Sequence, residues 1–249
     1  VSPALATYSY TFDTRTAPFD DPNVRKALSM AVDRDFLSQE IYAGAQLPAY
    51  ALVPPGMEGY AKPAEPDYAT LSQIDREDKA LELMEAAGYG KGGKPLDIEI
   101  RYNTNTNHER VATAIADMWK TTFGANVSLV NLDVASHYAY LKEGGKFNAA
   151  RAAWSADYAD PENFLFLGLS DNTSYNNPEF DKLVKASYNE TDPAKRMEML
   201  LQAEKIMTND QPLAPLMNSA DLWMVSKRVK GWQDNAVDEH RSKFLSVSE

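Results

Sequence analysis

The sequence predicts an α/β fold in which a mixed sheet is flanked by helices. Three observations carry that expectation. Between residues 95 and 154, stretches with a period of two alternate with stretches repeating every three to four residues, in β-α-β-α-β order. Such an order places strands side by side and covers them with crossover helices. The 249 residues are 44% hydrophobic and 24% charged, enough for a substantial core in one large domain or two small ones.

Taken in order, "TYSYTFDT" (7–14) alternates aromatic and small polar residues and reads as a strand. "DDPNVRKALSMAVDRDFL" follows, with Asp21 as N-cap and Pro22 at the first helical position. Val24, Ala27, Leu28, Ala31 and Val32 form one apolar face of that helix. A Pro- and Gly-rich segment from about 44 to 70 is longer than most connections, and such loops are functional or wrap a neighbouring surface. Asp75 is expected to cap the next helix, whose core face is Ala80, Leu81, Met84 and Ala87 and whose stop is Gly88. "GYGKGG" (88–93) follows a helix rather than a strand, so it is no phosphate loop.

"PLDIEIRYNT" sets Leu96, Ile98, Ile100 and Tyr102 on one side and charges on the other, a strand with one buried face. A helix from about His108 to Phe123 carries Val111, Ile115, Met118, Trp119 and Thr122 in one stripe. "ANVSLVNLD" is a strand, "VASHYAYLK" a short helix and "FNAARAAW" a further strand. Two helices then open on Asn177-Pro178 and Asp192-Pro193, with Phe180, Leu183, Val184 and with Met197, Leu200, Leu201, Ile206 inward. "QPLAPLMNSADLWMVSKRVKGW" reads as extended, and "KFLSV" as a final strand with no obvious partner in this chain.

Composition removes several functions. No apolar run approaches the ~18 residues that cross a bilayer, and "VSPALATYSY" lacks the basic start and apolar stretch of a signal peptide. A chain opening on Val1 reads as a processed or excised piece. Without cysteine there is no disulfide, thiolate metal site or cysteine nucleophile, a usage that suits an exported bacterial protein. A net charge of −11 argues against nucleic acid and anionic lipid as partners. The three histidines, at 108, 137 and 240, lack the spacing of a helical zinc site.

Ligands of open α/β sheets sit beyond the carboxyl ends of the strands. Two strands here end in ligand-like loops, "YNTNTNH" and "WSADY". If those strands are neighbours, Asn103, Asn105 and His108 share a rim with Arg151, Trp154 and Asp157. The small residues Ala149, Ala150, Ala152 and Ala153 would let another backbone approach the sheet. An enzymatic reading pairs Asp157 with Asp160, or Asp160 with Glu162, for glycoside hydrolysis. Residues three apart on one loop need not face each other, and Ser155 is not in a G-x-S-x-G elbow.

The plain alternative makes Asp160 an N-cap and Pro161 its first turn, and it fits Asp160, Pro161 and Glu162 well. It fits Asp157 poorly. Set between Trp154 and Tyr158, that carboxylate is expected to be partly desolvated and to want a cation. Regular strand geometry puts Arg151 on the opposite face from Trp154, leaving Asp157 for an external ammonium group.

"PFDDPNVRKALSMAVDRDFL", "LPAYALVPPGMEGY", "YNTNTNHERVATAIADMWK" with "GANVSLVNL", and "FNAARAAWSADYADPENFL…NNPEFDKLVKAS" occur here in one order. Together they resemble the C-terminal lobe of the bacterial oligopeptide-binding proteins of solute-binding family 5, the extracytoplasmic receptors of peptide ABC importers. The resemblance spans nearly the whole chain. It implies one lobe of a type II periplasmic-binding-protein fold, about half of a complete receptor, with no enzymatic activity and no cofactor. Its partners would be short peptides, a membrane permease and the missing N-terminal lobe. Its location would be the periplasm, or a lipid anchor outside the cytoplasmic membrane. Receptors of the same architecture for murein peptide, nickel complex, haem or oligosaccharide are the alternative reading.

In that family the aspartate of W-x-A-D-Y holds the peptide's α-ammonium, which would be Asp157. The backbone beside the motif's tryptophan pairs with the extended peptide, here at Ala153, Trp154 and Ser155. Tyr158 and Trp154 would line the mouth of the cleft. Arg151 and His108 match residues used for peptide carboxylates. A further arginine ahead of the G-x-F turn is here Lys142, which keeps the charge but not the bidentate fork. Tyr42 replaces a lysine that some members carry before L-P-A-Y, so one carboxylate contact is lost or altered. The ligand-binding lobe is expected over 1–232, with hinges near 1–8 and 229–235. Residues 233–249 are expected to return to the missing lobe and to pack loosely here.

Overall fold

A computed structural model describes residues 2–57, 59–60, 62–221, 223–235 and 238–248. The chain opens with strand β1 (Ser2–Phe12), which is central in a six-stranded sheet. It therefore begins earlier than the alternating pattern indicated, and it bears side chains that are buried on both faces, Thr7 and Ser9 as well as Tyr8 and Tyr10. The expected hinge near residues 1–8 falls almost wholly inside this paired strand.

Helix α1 (Pro22–Met30) is capped by Asp21, whose side chain accepts from the Asn23 N–H. Its predicted apolar face is fully buried. One turn, α2 (Arg34–Phe36), continues into a turn of π-helix (Leu37–Ile41), and β2 (Gln46–Pro48) forms one sheet edge. Helix α3 (Gln73–Ala86) is capped by Ser72 rather than Asp75. Asp75 is its partner three residues on: the Asp75 N–H donates to Ser72 Oγ, and the Ser72 hydroxyl donates back to the Asp75 carboxylate.

β3 (Asp97–Asn103), α4 (Thr106–Phe123), β4 (Asn126–Leu132), α5 (Val134–Lys142) and β5 (Ala149–Ser155) build the predicted β-α-β-α-β unit. α4 begins two residues earlier than expected, because Asn105 accepts from the Asn107 and His108 N–H groups. It ends at Gly124, whose φ of +72° suits a residue without Cβ. A short helix α6 (Glu162–Leu165) precedes α7 (Pro178–Ser187) and α8 (Pro193–Asp210), capped by Asn177 and Asp192 as the sequence indicates.

The sheet is completed by β6 (Leu213–Asp221), giving the order β2-β6-β1-β5-β3-β4. β3, β4 and β5 are parallel, while β1 runs antiparallel to both β5 and β6, so the sheet is mixed. One apolar cluster lies beneath α1, α3 and α4 around Trp119, Phe12 and Ile100. A second, around Phe164, Phe180 and Leu200, joins α6, α7 and α8 to the loop carrying Leu52, Val53, Met57 and Tyr60. The final segment does have a partner within the chain. β7 (Val229–Lys230) pairs antiparallel with β8 (Ser246–Val247), through only two residue pairs. Ala236, Val237 and Glu249 of the expected tail lie outside the described residues. Among the described residues no helix is long and apolar enough to cross a membrane.

Candidate functional site

β5 and β3 are neighbours, so the two polar loops do share one rim of the sheet. Their pairing is brief. β3 matches β5 only at Ile100/Ala149 and Arg101/Ala150, whereas β1 follows β5 as far as Ser155. Beyond Ala150 the edge of β5 that faces β3 is therefore open. The Ala156 N–H donates to Leu5 O at 2.8 Å, which fixes the ladder's phase. Trp154 thus turns its backbone groups to β1, and Ala153 and Ser155 turn theirs outward. The outward carbonyl one step earlier, Arg151 O, is met by His137 Nε2 at 2.8 Å. His137 is buried on α5, and that bond requires its proton on Nε2.

Arg151 is the hub of the rim. Its Nη1 donates to Asn103 Oδ1 at 3.0 Å and to the Tyr138 hydroxyl at 2.7 Å. Its guanidinium lies 4.9 Å from the centre of the Tyr8 ring. Tyr8 Oη is 3.4 Å from His108 Nδ1, which brings His108 to the same place. Burial, and then the Arg151 charge, pushes His108 down to about 4, so it stands neutral at pH 7. Tyr42 is close enough to feel the Arg151 charge, although burial raises its hydroxyl above the usual value. Asn103, Arg151 and His108 are thus brought together as the sequence indicated. Asn105 is not among them, since its side chain is spent on capping α4.

The other half of the site is the turn after β5. Trp154 is half-buried, set edge-on to Phe166 at 5.1 Å, and its Nε1 donates to Asn163 Oδ1 at 3.1 Å. It is both core and rim. Asp157 is exposed, which corrects the expectation of partial desolvation. Its backbone N–H is held by Asn163 Oδ1 at 2.8 Å, and among the described residues no ion pair or hydrogen bond engages its carboxylate. Tyr158 is 52% exposed and donates to Glu162 at 2.6 Å. Asp160 is gripped by Arg196 through two bonds of 2.7 and 3.0 Å, and Glu162 also accepts from Tyr188 at 2.9 Å. Of the three acids in the hydrolase reading, Asp160 and Glu162 are therefore occupied with holding the turn, and Asp157 is not.

Lys142 does not join the site. α5 starts at the rim where β4 ends and runs back towards the end of the sheet where the parallel β5 begins, and its last residue, Lys142, is exposed. Several residues of the rim escaped the sequence reading: Tyr8, His137, Tyr138, Asn163 and Arg196. The helix "VASHYAYLK" showed no pattern that distinguishes His137 or Tyr138, and only the crossover of α5 beside β5 brings them to Arg151.

Residues 1–176 match the family model described as bacterial extracellular solute-binding proteins, family 5 Middle. The chain belongs to this family. It is 35% identical over 246 residues to the periplasmic oligopeptide-binding protein OppA of Haemophilus influenzae, covering 96% of this chain and 45% of that protein. The solved structure of H. influenzae OppA in complex with RPPGFSPFR superposes with a TM-score of 0.82 at 33% identity, covering 99% of this chain and 49% of that one. The murein tripeptide-binding protein MppA of Escherichia coli superposes with a TM-score of 0.85 at 32% identity, covering 99% and 49%. The architecture is thus one lobe of these family 5 receptors, and the chain spans less than half the length of the curated relatives it matches.

Proposed function

We propose that this chain is the C-terminal ligand-binding lobe of an extracytoplasmic receptor that delivers short peptides to the permease of an ABC importer. The observation that carries the reading is the uncommitted Asp157 carboxylate at the end of the open edge of β5. An extended peptide pairs its main chain with Ala153 and Ser155 along that edge, a contact blind to side chains. Its α-ammonium meets Asp157, and Trp154 and Tyr158 flank the entrance. Its carboxylate is received by Arg151, with His108 and Asn103 beside it, through charge-assisted bonds that set register and length. The partner lobe closes over the other side, and residues 233–249 return towards it. A carboxylate and a guanidinium on one rim suit a zwitterionic ligand better than a sugar.

The ligand class is tested by mass spectrometry of small molecules released from the full-length protein after native purification. Short peptides are the expected result. Recovery of haem, a nickel complex or an oligosaccharide in their place would refute the peptide reading.

A further inference from the structure

We infer that Asn163 is the positioning residue of the amine-binding turn, acting through one carbonyl oxygen on both its ends. The inference rests on the proposed role of Asp157. Asn163 is only 3% exposed, and its Oδ1 accepts from the Trp154 indole at 3.1 Å and from the Asp157 N–H at 2.8 Å. These two donors bracket the turn at the point where β5 stops. Two N–H groups aimed at one atom require an acceptor with two lone pairs, which identifies that atom as the amide oxygen. Between the two donors, the Ala156 N–H is tied to Leu5 O, so the turn cannot shift along the sheet.

Asn163 is itself anchored from outside the turn. Its N–H donates to Asp160 O at 3.1 Å. Asp160 accepts from the Glu162 N–H at 2.9 Å and is clamped by Arg196 of α8. The carboxylate that meets the ligand is thus placed by a chain running from α8 through Asp160 and Asn163 to the Asp157 backbone. With that oxygen gone, the Asp157 N–H and the Trp154 indole lose their shared partner, and the carboxylate is free to swing away from the end of β5.

The test uses the full-length protein with Asn163→Leu, which is similar in volume and has no acceptor, and Asn163→Asp, which keeps the acceptor. Asp157→Asn is measured alongside. Asn163→Leu is expected to move the Trp154 indole N–H resonance and to weaken a free-amine tripeptide about tenfold, a loss typical of a misplaced charged contact. The N-acetylated tripeptide, which has no ammonium to place, is expected to change less than about twofold. Asn163→Asp leaves the indole resonance near its original position and does not weaken free-amine binding. An unmoved indole in Asn163→Leu, or equal weakening of both peptides, overturns the proposal. Should Asn163→Leu fail to fold, amide exchange in the unmodified protein decides: a protected Asp157 N–H upholds the proposal and an unprotected one overturns it. If Asp157→Asn leaves free-amine affinity intact, the amine reading falls by itself, and the indole resonance still decides the role of Asn163.

Discussion

At the scale of single residues, the rim divides its charges between two ends of β5. Arg151 is steadied by Asn103, Tyr138 and the Tyr8 face, while the Asp157 carboxylate is left to solvent. His108 is the titratable neighbour of Arg151 and is neutral at pH 7. Burial and Arg151 hold it at about 4, but an arriving carboxylate would favour the imidazolium and raise that value. Binding there takes up a proton at any pH between the free and bound values. Affinity for peptides whose carboxylate reaches His108 is therefore expected to rise as pH falls from 7 to 5. Calorimetry with His108→Gln should abolish that slope, and a slope that survives would assign the proton elsewhere. That Asn103, Arg151 and His108 share a rim was legible in the sequence, because they sit in or beside polar loops at two strand ends. Asn163 was hidden because "DPENF" reads fully as a helix start, and nothing in that pattern reveals a side chain turning back to the preceding loop.

At the scale of elements, the long Pro- and Gly-rich loop is held by one buried acid. Glu204 of α8 is fully buried and accepts from the Val53 N–H at 3.0 Å, the Tyr60 hydroxyl at 2.5 Å and the Ala64 N–H at 2.7 Å. Burial outweighs these three donors and raises its pKa to about 7. A raised carboxylate value means the folded chain holds the proton more tightly than the unfolded one. The stabilisation is therefore complete below about 4.5 and is lost as pH rises towards 7, a change on the order of 3 kcal/mol. Urea unfolding from pH 4.5 to 7.5 should show this decline, and Glu204→Gln should remove it. An identical pH profile in the variant would contradict the assignment. Arg34 gives a second case. Wholly buried, it donates to the carbonyls of Ser29, Val32, Ala49 and Pro215 and lies 4.4 Å from the Tyr50 ring. Arg34→Lys retains the charge but not the fork, and is expected to cost about 3 kcal/mol in the same assay. The helices with clear caps and stripes were readable at this scale. The partner of the "KFLSV" strand is not legible in the sequence, because two residue pairs leave too little pattern to match it with Val229 and Lys230.

At the scale of the whole molecule, the packed core ends before the chain does. The sheet and both apolar clusters are complete within 2–221, whereas the segment after it keeps Trp223, Met224, Phe244 and Val247 on the surface. Amides of 223–235 and 238–248 are expected to exchange rapidly in this chain alone and to slow when the N-terminal lobe is present. Strong protection in the isolated chain would mean that the segment is finished without that lobe. On the proposed function, this chain alone is expected to bind peptide far more weakly than the full-length protein, in which a second lobe would supply further contacts. The α/β class followed from the β-α-β-α-β order, whereas the two loops share a rim because β3 lies beside β5, an adjacency that order alone leaves open. The antiparallel insertion of β1 between β5 and β6 did not follow from it either, because contacts between residues 2–12 and 149–155 leave no local periodic trace. The measurement that bears most directly on the account is calorimetric titration of the full-length receptor with one tripeptide in free-amine and N-acetylated forms, before and after Asp157→Asn. The expected result is a large preference for the free amine that collapses with the substitution. A preference that persists unchanged in Asp157→Asn would contradict it.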